Sequence, residues 1–361
     1  MNTQPVLRTH SRMAHGVELR PNQYSGTVTH DSVKDPSATM VSLDVNLREA
    51  LARLMLSILV LPFLIGAKGA TEAQLNQDLL LEAFHGRPDR IEQLLRQGAD
   101  VNAKNPDDRA TALTTAVQRD HVGAVRVFLA HGARVNDKDI LGYTPLMYAT
   151  NAQIARMLVE KGADVNTRGK DHMTPLISVS SKGALEVAKI LVSKGADVNA
   201  KLGNGKTALM ESIERDFPEI AKLLIAHGAD INDVDNQGRT ALIYAASNKQ
   251  LEVLRILLGK GADVNAKSKI GYPALMHSAG EVVVVEMLLD HGADANAKSE
   301  DGMTVLMRAA AKGHHSVVKL LLERGADINA QDKWGRTALY WAEKFGHVAI
   351  ADLLKSNGAQ N

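Results

Sequence analysis

A five-residue tag, Gly-Ala-Asp-Val-Asn, returns with small changes at Gly98, Gly132, Gly162, Gly195, Gly228, Gly261, Gly292, Gly325 and Gly358. Successive tags stand 34, 30, 33, 33, 33, 31, 33 and 33 residues apart. A period of about 33 residues belongs to stacks of small supersecondary units, each too small to bury its own apolar face and therefore packed on its neighbours. The chain is constrained to a repeat architecture.

A second landmark follows each tag: Thr111-Ala-Leu, Thr144-Pro-Leu, Thr174-Pro-Leu, Thr207-Ala-Leu, Thr240-Ala-Leu, Pro273-Ala-Leu, Thr304-Val-Leu and Thr337-Ala-Leu. It predicts a helix start, because Thr at the N-cap accepts from an orphan backbone N–H and Pro fits the first helical position. A second apolar-periodic run, such as Val317, Val318, Leu320, Leu321 and Leu322, ends at the tag glycine, which suits the left-handed residue after a helix. Cations precede that glycine at Lys161, Lys194, Lys260 and Arg324, with histidine at His131, His227 and His291, where the helix dipole favours positive charge. Turns such as Asp235-Asn-Gln-Gly238 and Asp332-Lys-Trp-Gly335 complete the unit. Each repeat reads as turn, helix, short loop, helix.

These residues resemble the ankyrin repeat. Its signature, Asp-x-x-Gly-x-Thr-Pro-Leu-His-x-Ala, is matched best at Asp139 to Ala149, with Asp235 to Ala245 and Asp332 to Ala342 close behind, and the resemblance covers roughly residues 75 to 361. It implies an all-α repeat solenoid, an ankyrin-repeat stack of helix-loop-helix units joined by β-turn or hairpin loops. One departure stands out: the signature His is Thr114, Met147, Ile177, Met210, Ile243, Met276, Met307 or Tyr340. The hydrogen bonds that this His supplies in the family are expected to give way to apolar stacking.

From residue 70 to 361 we expect about nine units, the first and last acting as caps. Two units are short, Thr144 to Gly162 and Pro273 to Gly292, and the deletion is expected in the loop between the two helices. Residues 1–39 are polar and aperiodic and read as disordered or as no part of the native product. In residues 40–69, Arg48 and Arg53 precede an apolar run from Leu54 to Ile65 and the small residues Gly66, Ala67 and Gly69. That is the layout of a signal peptide, with a run well short of the ~20 residues a spanning helix needs. Cleavage after Gly69 would place the protein in the periplasm or outside the cell. The alternatives are a retained membrane anchor over residues 54–67 and a cytoplasmic protein with a hydrophobic capping helix.

Chemistry finds little purchase. With no cysteine, the chain has no disulfide, thiolate metal site or cysteine nucleophile, and a net charge of +1 gives no field suited to nucleic acid. The tag aspartates supply one carboxylate per unit, too sparse for a cation needing six to eight oxygens. The histidines lack metal-ligand spacing, and there is no Gly-x-Ser-x-Gly elbow or phosphate loop. Met147, Met210, Met276 and Met307 recur at one core position, which reads as packing. We expect no enzyme activity and no cofactor.

The aromatics point elsewhere. In ankyrin proteins the concave side binds through turn residues flanking the glycine and the residue after the signature His. Six of the seven Tyr and Trp residues in the repeats fall at those positions: Tyr143, Tyr148, Tyr244, Tyr272, Trp334 and Trp341, with Tyr340 the exception. Ile140, Leu141, Arg239, Ile270, His277, Arg308 and Arg336 join them. Tyr, Trp and Arg anchor protein interfaces. The expectation is a monomeric scaffold that binds another protein, with centres around Tyr143 and Tyr148 and around Trp334, Arg336 and Trp341. The alternative is a chaperone-like or structural envelope protein that supports an enzyme without a single partner.

Overall fold

The structure, a computed structural model, describes residues 70–360, so the readings of residues 1–39 and 40–69 lie outside it. The described residues form eighteen α-helices in nine consecutive pairs, from Glu72–His85 with Pro88–Arg96 to Ala338–Lys344 with Val348–Ser356. First helices pack on first helices of the next unit and second on second, which gives two parallel rows with the core between them. Among the described residues the extended backbone is limited to isolated bridges, such as Val234 with Thr240.

The helix starts follow from the landmark. Thr111, Thr174, Thr207, Thr240, Thr304 and Thr337 each accept from the N–H three residues on. Distances run from 3.1 Å at Thr111 to 3.4 Å at Thr207. The tag closes the second helix: Gly195 takes φ +81, and the next N–H, that of Ala196, returns to Leu191 O at 3.0 Å. Alanine follows because that position is buried, as at Ala163, Ala196, Ala229 and Ala262. Met147, Ile177, Met210, Ile243, Met276 and Met307 are fully enclosed between units, as the apolar-stacking expectation required. Tyr340, in the last described unit, is 43% exposed.

The short units differ from expectation. Their inter-helix loops keep normal length, and the deletion removes the end of the first helix, leaving Pro145–Tyr148 and Ala274–His277 at four residues where Ala241–Ser247 has seven. The loop already stands near the minimum needed to reverse the chain, so the helix gave way. Thr144 caps nothing here, and its buried hydroxyl has no hydrogen-bond partner.

Two hydrogen-bond ladders tie the units together. In the first, each tag Asn reaches the next tag. Asn199 Oδ1 accepts from Asp230 N–H at 2.8 Å and its Nδ2 donates to Gly228 O at 3.3 Å. Asn136, Asn166, Asn265, Asn296 and Asn329 make the same pair of contacts. The tag Asp stays in its own turn, with Asp197 Oδ1 accepting from Asn199 N–H at 3.0 Å. A polar ladder therefore exists, but the tag Asn carries it.

The second ladder is backbone to backbone through the turns: Asn236 N–H donates to Asn204 O at 2.9 Å and Lys269 N–H to Gln237 O at 2.8 Å. Neighbouring turns come so close that a Cβ on Gly271 would sit 2.8 Å from Glu300 N. Gly261 has a similar positive φ, +83 against +77, and open space around it. Replacing either with Ala incurs the left-handed penalty of about 1–2 kcal/mol, and only Gly271→Ala adds a clash. Urea denaturation is expected to show Gly271→Ala less stable than Gly261→Ala by at least about 1 kcal/mol; equal losses would show that the turns yield freely.

Candidate functional site

The face formed by turns and first helices is organised by buried carboxylates. Asp235 Oδ1 accepts from the N–H groups of Gln237 and Arg239, each at 2.8 Å, which sets the turn. Asp139 does the same for Leu141 and Tyr143, and Asp332 for Trp334 and Arg336. The second oxygen is left for side chains of the same turn and first helix. Asp235 Oδ2 takes the Tyr244 hydroxyl at 2.8 Å and Arg239 Nε at 2.9 Å, Asp139 Oδ2 takes the Tyr148 hydroxyl at 2.6 Å, and Asp332 Oδ2 takes Arg336 Nε at 2.7 Å. Burial pushes the Asp235 carboxyl up, but the Arg239 N–H, the Tyr244 hydroxyl and the Arg239 charge outweigh it, and the group lies below its ordinary value. Asp332 is shifted down in the same way, burial being outweighed by the N–H groups and guanidinium of Arg336 and Trp334's N–H. Burial, then the bond to Asp235, raises Tyr244, which keeps its hydroxyl a donor.

This geometry sorts the predicted anchors. Ile140, Ile270 and Trp334 stand out from the turns, 60%, 52% and 61% exposed. Leu141, Tyr143, Tyr148, Arg239, Tyr272, His277, Arg308 and Arg336 are half-buried on the same face. Two aromatics do not belong to the surface set. Tyr244 is only 4% exposed: like Tyr148 it gives its hydroxyl to the turn aspartate, and in addition Arg239 covers its ring at 4.6 Å. Trp341 is 8% exposed, lying parallel to Phe345 with ring centroids 5.9 Å apart and capped by Arg336 at 4.3 Å. Both are packing residues that support the face.

Side chains within each expected group touch one another. Tyr143 and Tyr148 meet at 5.8 Å between centroids, and the Arg336 guanidinium lies 4.3 Å from both Trp334 and Trp341. A third group brings Tyr272 to 5.7 Å from His277, with Arg308 over Tyr272 at 5.2 Å. Sequence position places these three on the face without revealing that they meet.

Lys182 is absent from the anchors expected from sequence. The truncated helix leaves Met147 O without its usual partner, and the next unit supplies Lys182 Nζ at 3.0 Å and Ser178 Oγ at 2.6 Å. Burial holds the Lys182 amine down to about 8. The shortened unit was the available signal, but the residue that answers it lies 35 positions away in the chain. Lys206 on the same face is buried and paired with Glu211 and Glu214. Among the described residues no group of three or more His, Asp or Glu is placed to hold a metal ion, and no helix is long and apolar enough to cross a membrane.

His277 gives the face a pH signature. Burial, with added repulsion from Arg308 and Arg239, lowers it to about 4. In the unfolded chain histidine has its ordinary value of 6.5 and takes up this proton first, so stability is fully present above pH 6.5 and is lost as pH falls toward 4. The loss is at most on the order of 3 kcal/mol. His277→Gln is expected to flatten the fall of denaturation free energy between those limits, and an unchanged slope would place the titration elsewhere.

The arrangement presents apolar and guanidinium–aromatic groups on a rigid ladder of turns, and known proteins carry the same kind of stack. The family model described as Ankyrin repeats (3 copies) matches residues 79–169, 176–268 and 270–361, and that described as Ankyrin repeats (many copies) matches 150–192. The chain is 32% identical over 124 residues to the Ankyrin repeat and KH domain-containing protein mask-1 of Caenorhabditis elegans, covering 33% of this chain and 5% of that protein. It is 35% identical over 94 residues to the putative ankyrin repeat protein FPV031 of Fowlpox virus, covering 24% and 28%. It is 36% identical over 105 residues to the mouse Ankyrin repeat, SAM and basic leucine zipper domain-containing protein 1, covering 28% and 21%. The matched stretches are thus well under two thirds of these relatives' lengths. With family matches running through nearly all of residues 79–361, the chain belongs to the ankyrin-repeat family.

Proposed function

We propose that this chain is a non-catalytic scaffold that grips a partner protein through the face of its turns and first helices. Ankyrin-repeat proteins generally mediate protein–protein interactions. The observation that carries the reading here is the set of large apolar side chains at the turn tips, Ile140, Ile270 and Trp334, each more than half exposed. The backbone ladder holds those turns in register, so little conformational entropy is lost when they are covered. Such side chains on rigid supports are suited to anchoring a partner.

The packing roles already separate two tryptophans. Trp334→Ala is expected to leave stability within about 0.5 kcal/mol of wild type and to weaken partner binding by at least about ten-fold. Trp341→Ala is expected to destabilise the fold by about 3 kcal/mol. Affinity capture from the native cell, read by stoichiometry with wild type and the Trp334→Ala and Ile140→Ala variants, tests this. A single stoichiometric partner lost in the variants supports the scaffold; many substoichiometric proteins captured equally by all forms favour the chaperone-like alternative.

We also propose export, on the basis of the basic, apolar and small-residue order in residues 40–69. N-terminal sequencing of the protein from its own cell is expected to begin at Ala70, and an intact Met1 on cytosolic material would overturn it.

A further inference from the structure

The two clipped units are tied to their successors differently. In the third unit, whose first helix is Pro145–Tyr148, Met147 O accepts from Ser178 Oγ at 2.6 Å and Lys182 Nζ at 3.0 Å of the fourth. In the seventh, whose first helix is Ala274–His277, the matching carbonyl is that of Met276, and the matching residues of the eighth unit are Arg308 and Lys312. Among the described residues neither bonds to Met276 O, and Arg308 turns to the Tyr272 ring instead.

The loop between helices repeats the gap. At other joints the residue before the second helix reaches back one unit: His121 Nε2 lies 3.0 Å from Phe84 O, Gln250 Nε2 donates to Ile213 O at 2.9 Å, and His347 Nε2 lies 3.1 Å from Ala311 O. Thr150 with Asp120, at 3.2 Å, and Lys249 with Glu281, at 2.5 Å, tie two more joints at this end. His314 lies against Gly280 and makes no hydrogen bond among the described residues. The fourth and fifth units also lack such a bond, but both their first helices keep seven residues and the Phe217 ring lies against Gly183. Among the described residues, a clipped helix and an unbonded loop coincide only between the seventh and eighth units.

At its opposite end the same joint is closed. Asn296 Oδ1 accepts from Asp327 N–H at 2.6 Å and its Nδ2 donates to Gly325 O at 3.3 Å, while Arg324 pairs with Asp290 at 2.5 Å. The turns keep their rung, from Glu300 N–H to Ile270 O, at 3.5 Å. Layers bonded at one end alone swing about that end. His277 Nε2, enclosed on the short helix without a hydrogen-bond partner, favours the swing, because parting the first helices lets water reach it.

We infer that the eighth and ninth units tilt as one body against the first seven, pivoting on the Asn296 clamp and parting at the inter-helix loops of Gly280 and His314. The hinge divides the exposed turn tips into a segment carrying Ile140 and Ile270 and a segment carrying Trp334.

The chain has no cysteine, so introduced cysteine pairs place nitroxide labels at chosen exposed residues for pulsed EPR on the full chain. Val283→Cys with Ala349→Cys reads the loop end across the joint, and Gln153→Cys with Glu219→Cys is the same pair of positions across the bonded clipped unit. The first pair is expected to give a distance distribution at least about two-fold broader than the second. Lys269→Cys with Lys333→Cys, at the turn end of the same units, is expected to stay narrow. Arg308→Ser places a hydroxyl where Ser178 stands and is expected to narrow the Val283–Ala349 distribution, and Ser178→Ala to broaden that of Gln153 and Glu219. Equal widths for the two loop-end pairs, equal broadening at both ends of the joint, or no narrowing by Arg308→Ser in a folded chain would overturn the hinge. None of these results touches the scaffold reading, which is judged by Trp334-dependent capture.

Discussion

The contact on which everything else depends is one asparagine side chain reaching the tag of the following unit. Asn199, for example, holds both the N–H of Asp230 and the carbonyl of Gly228, two backbone groups in the tag just past the end of the second helix. The clamp fixes the distance and rotation between successive helix pairs. The turns then lie close enough to exchange backbone hydrogen bonds, and the apolar position at Met147, Ile177, Met210 and Ile243 is sealed between layers. With the layers so fixed, the turn tips become a row of positions free to vary, since their side chains are not needed to hold the stack.

What was legible in the sequence was local. A Thr that caps the N–H three residues on, a glycine that ends a helix and an alanine tucked behind it are all written within a few residues of one another. The role of the tag Asn was not, because its partner lies about thirty residues on and only the stacked geometry brings the two together. The clipped helices show a related limit. Counting residues reveals a deletion, but whether loop or helix absorbs it depends on how few residues can reverse the chain, and that is settled in three dimensions.

The binding face was half legible for a similar reason. Ile140 and Tyr244 were placed on it by the same rule, yet one stands in solvent and the other is core. Tyr148 and Tyr244 both give their hydroxyl to the turn aspartate nine residues before, and Tyr244 alone is also covered by an arginine of its own turn, Arg239. Trp341 has no hydroxyl and is buried by another route, caught between Arg336 and Phe345. Position alone therefore assigns a face, and the chemistry of the turn residue decides which side chains rise from it.

The asparagine clamp also bears on how such a molecule answers tension. Each clamp joins a unit only to the next one, and none among the described residues bridges a longer stretch of the stack. Pulled at its two ends, the array has no central lock whose rupture would release the remainder. It gives way by peeling, one layer after another, and on slackening it can re-zip from whatever layers are still in place.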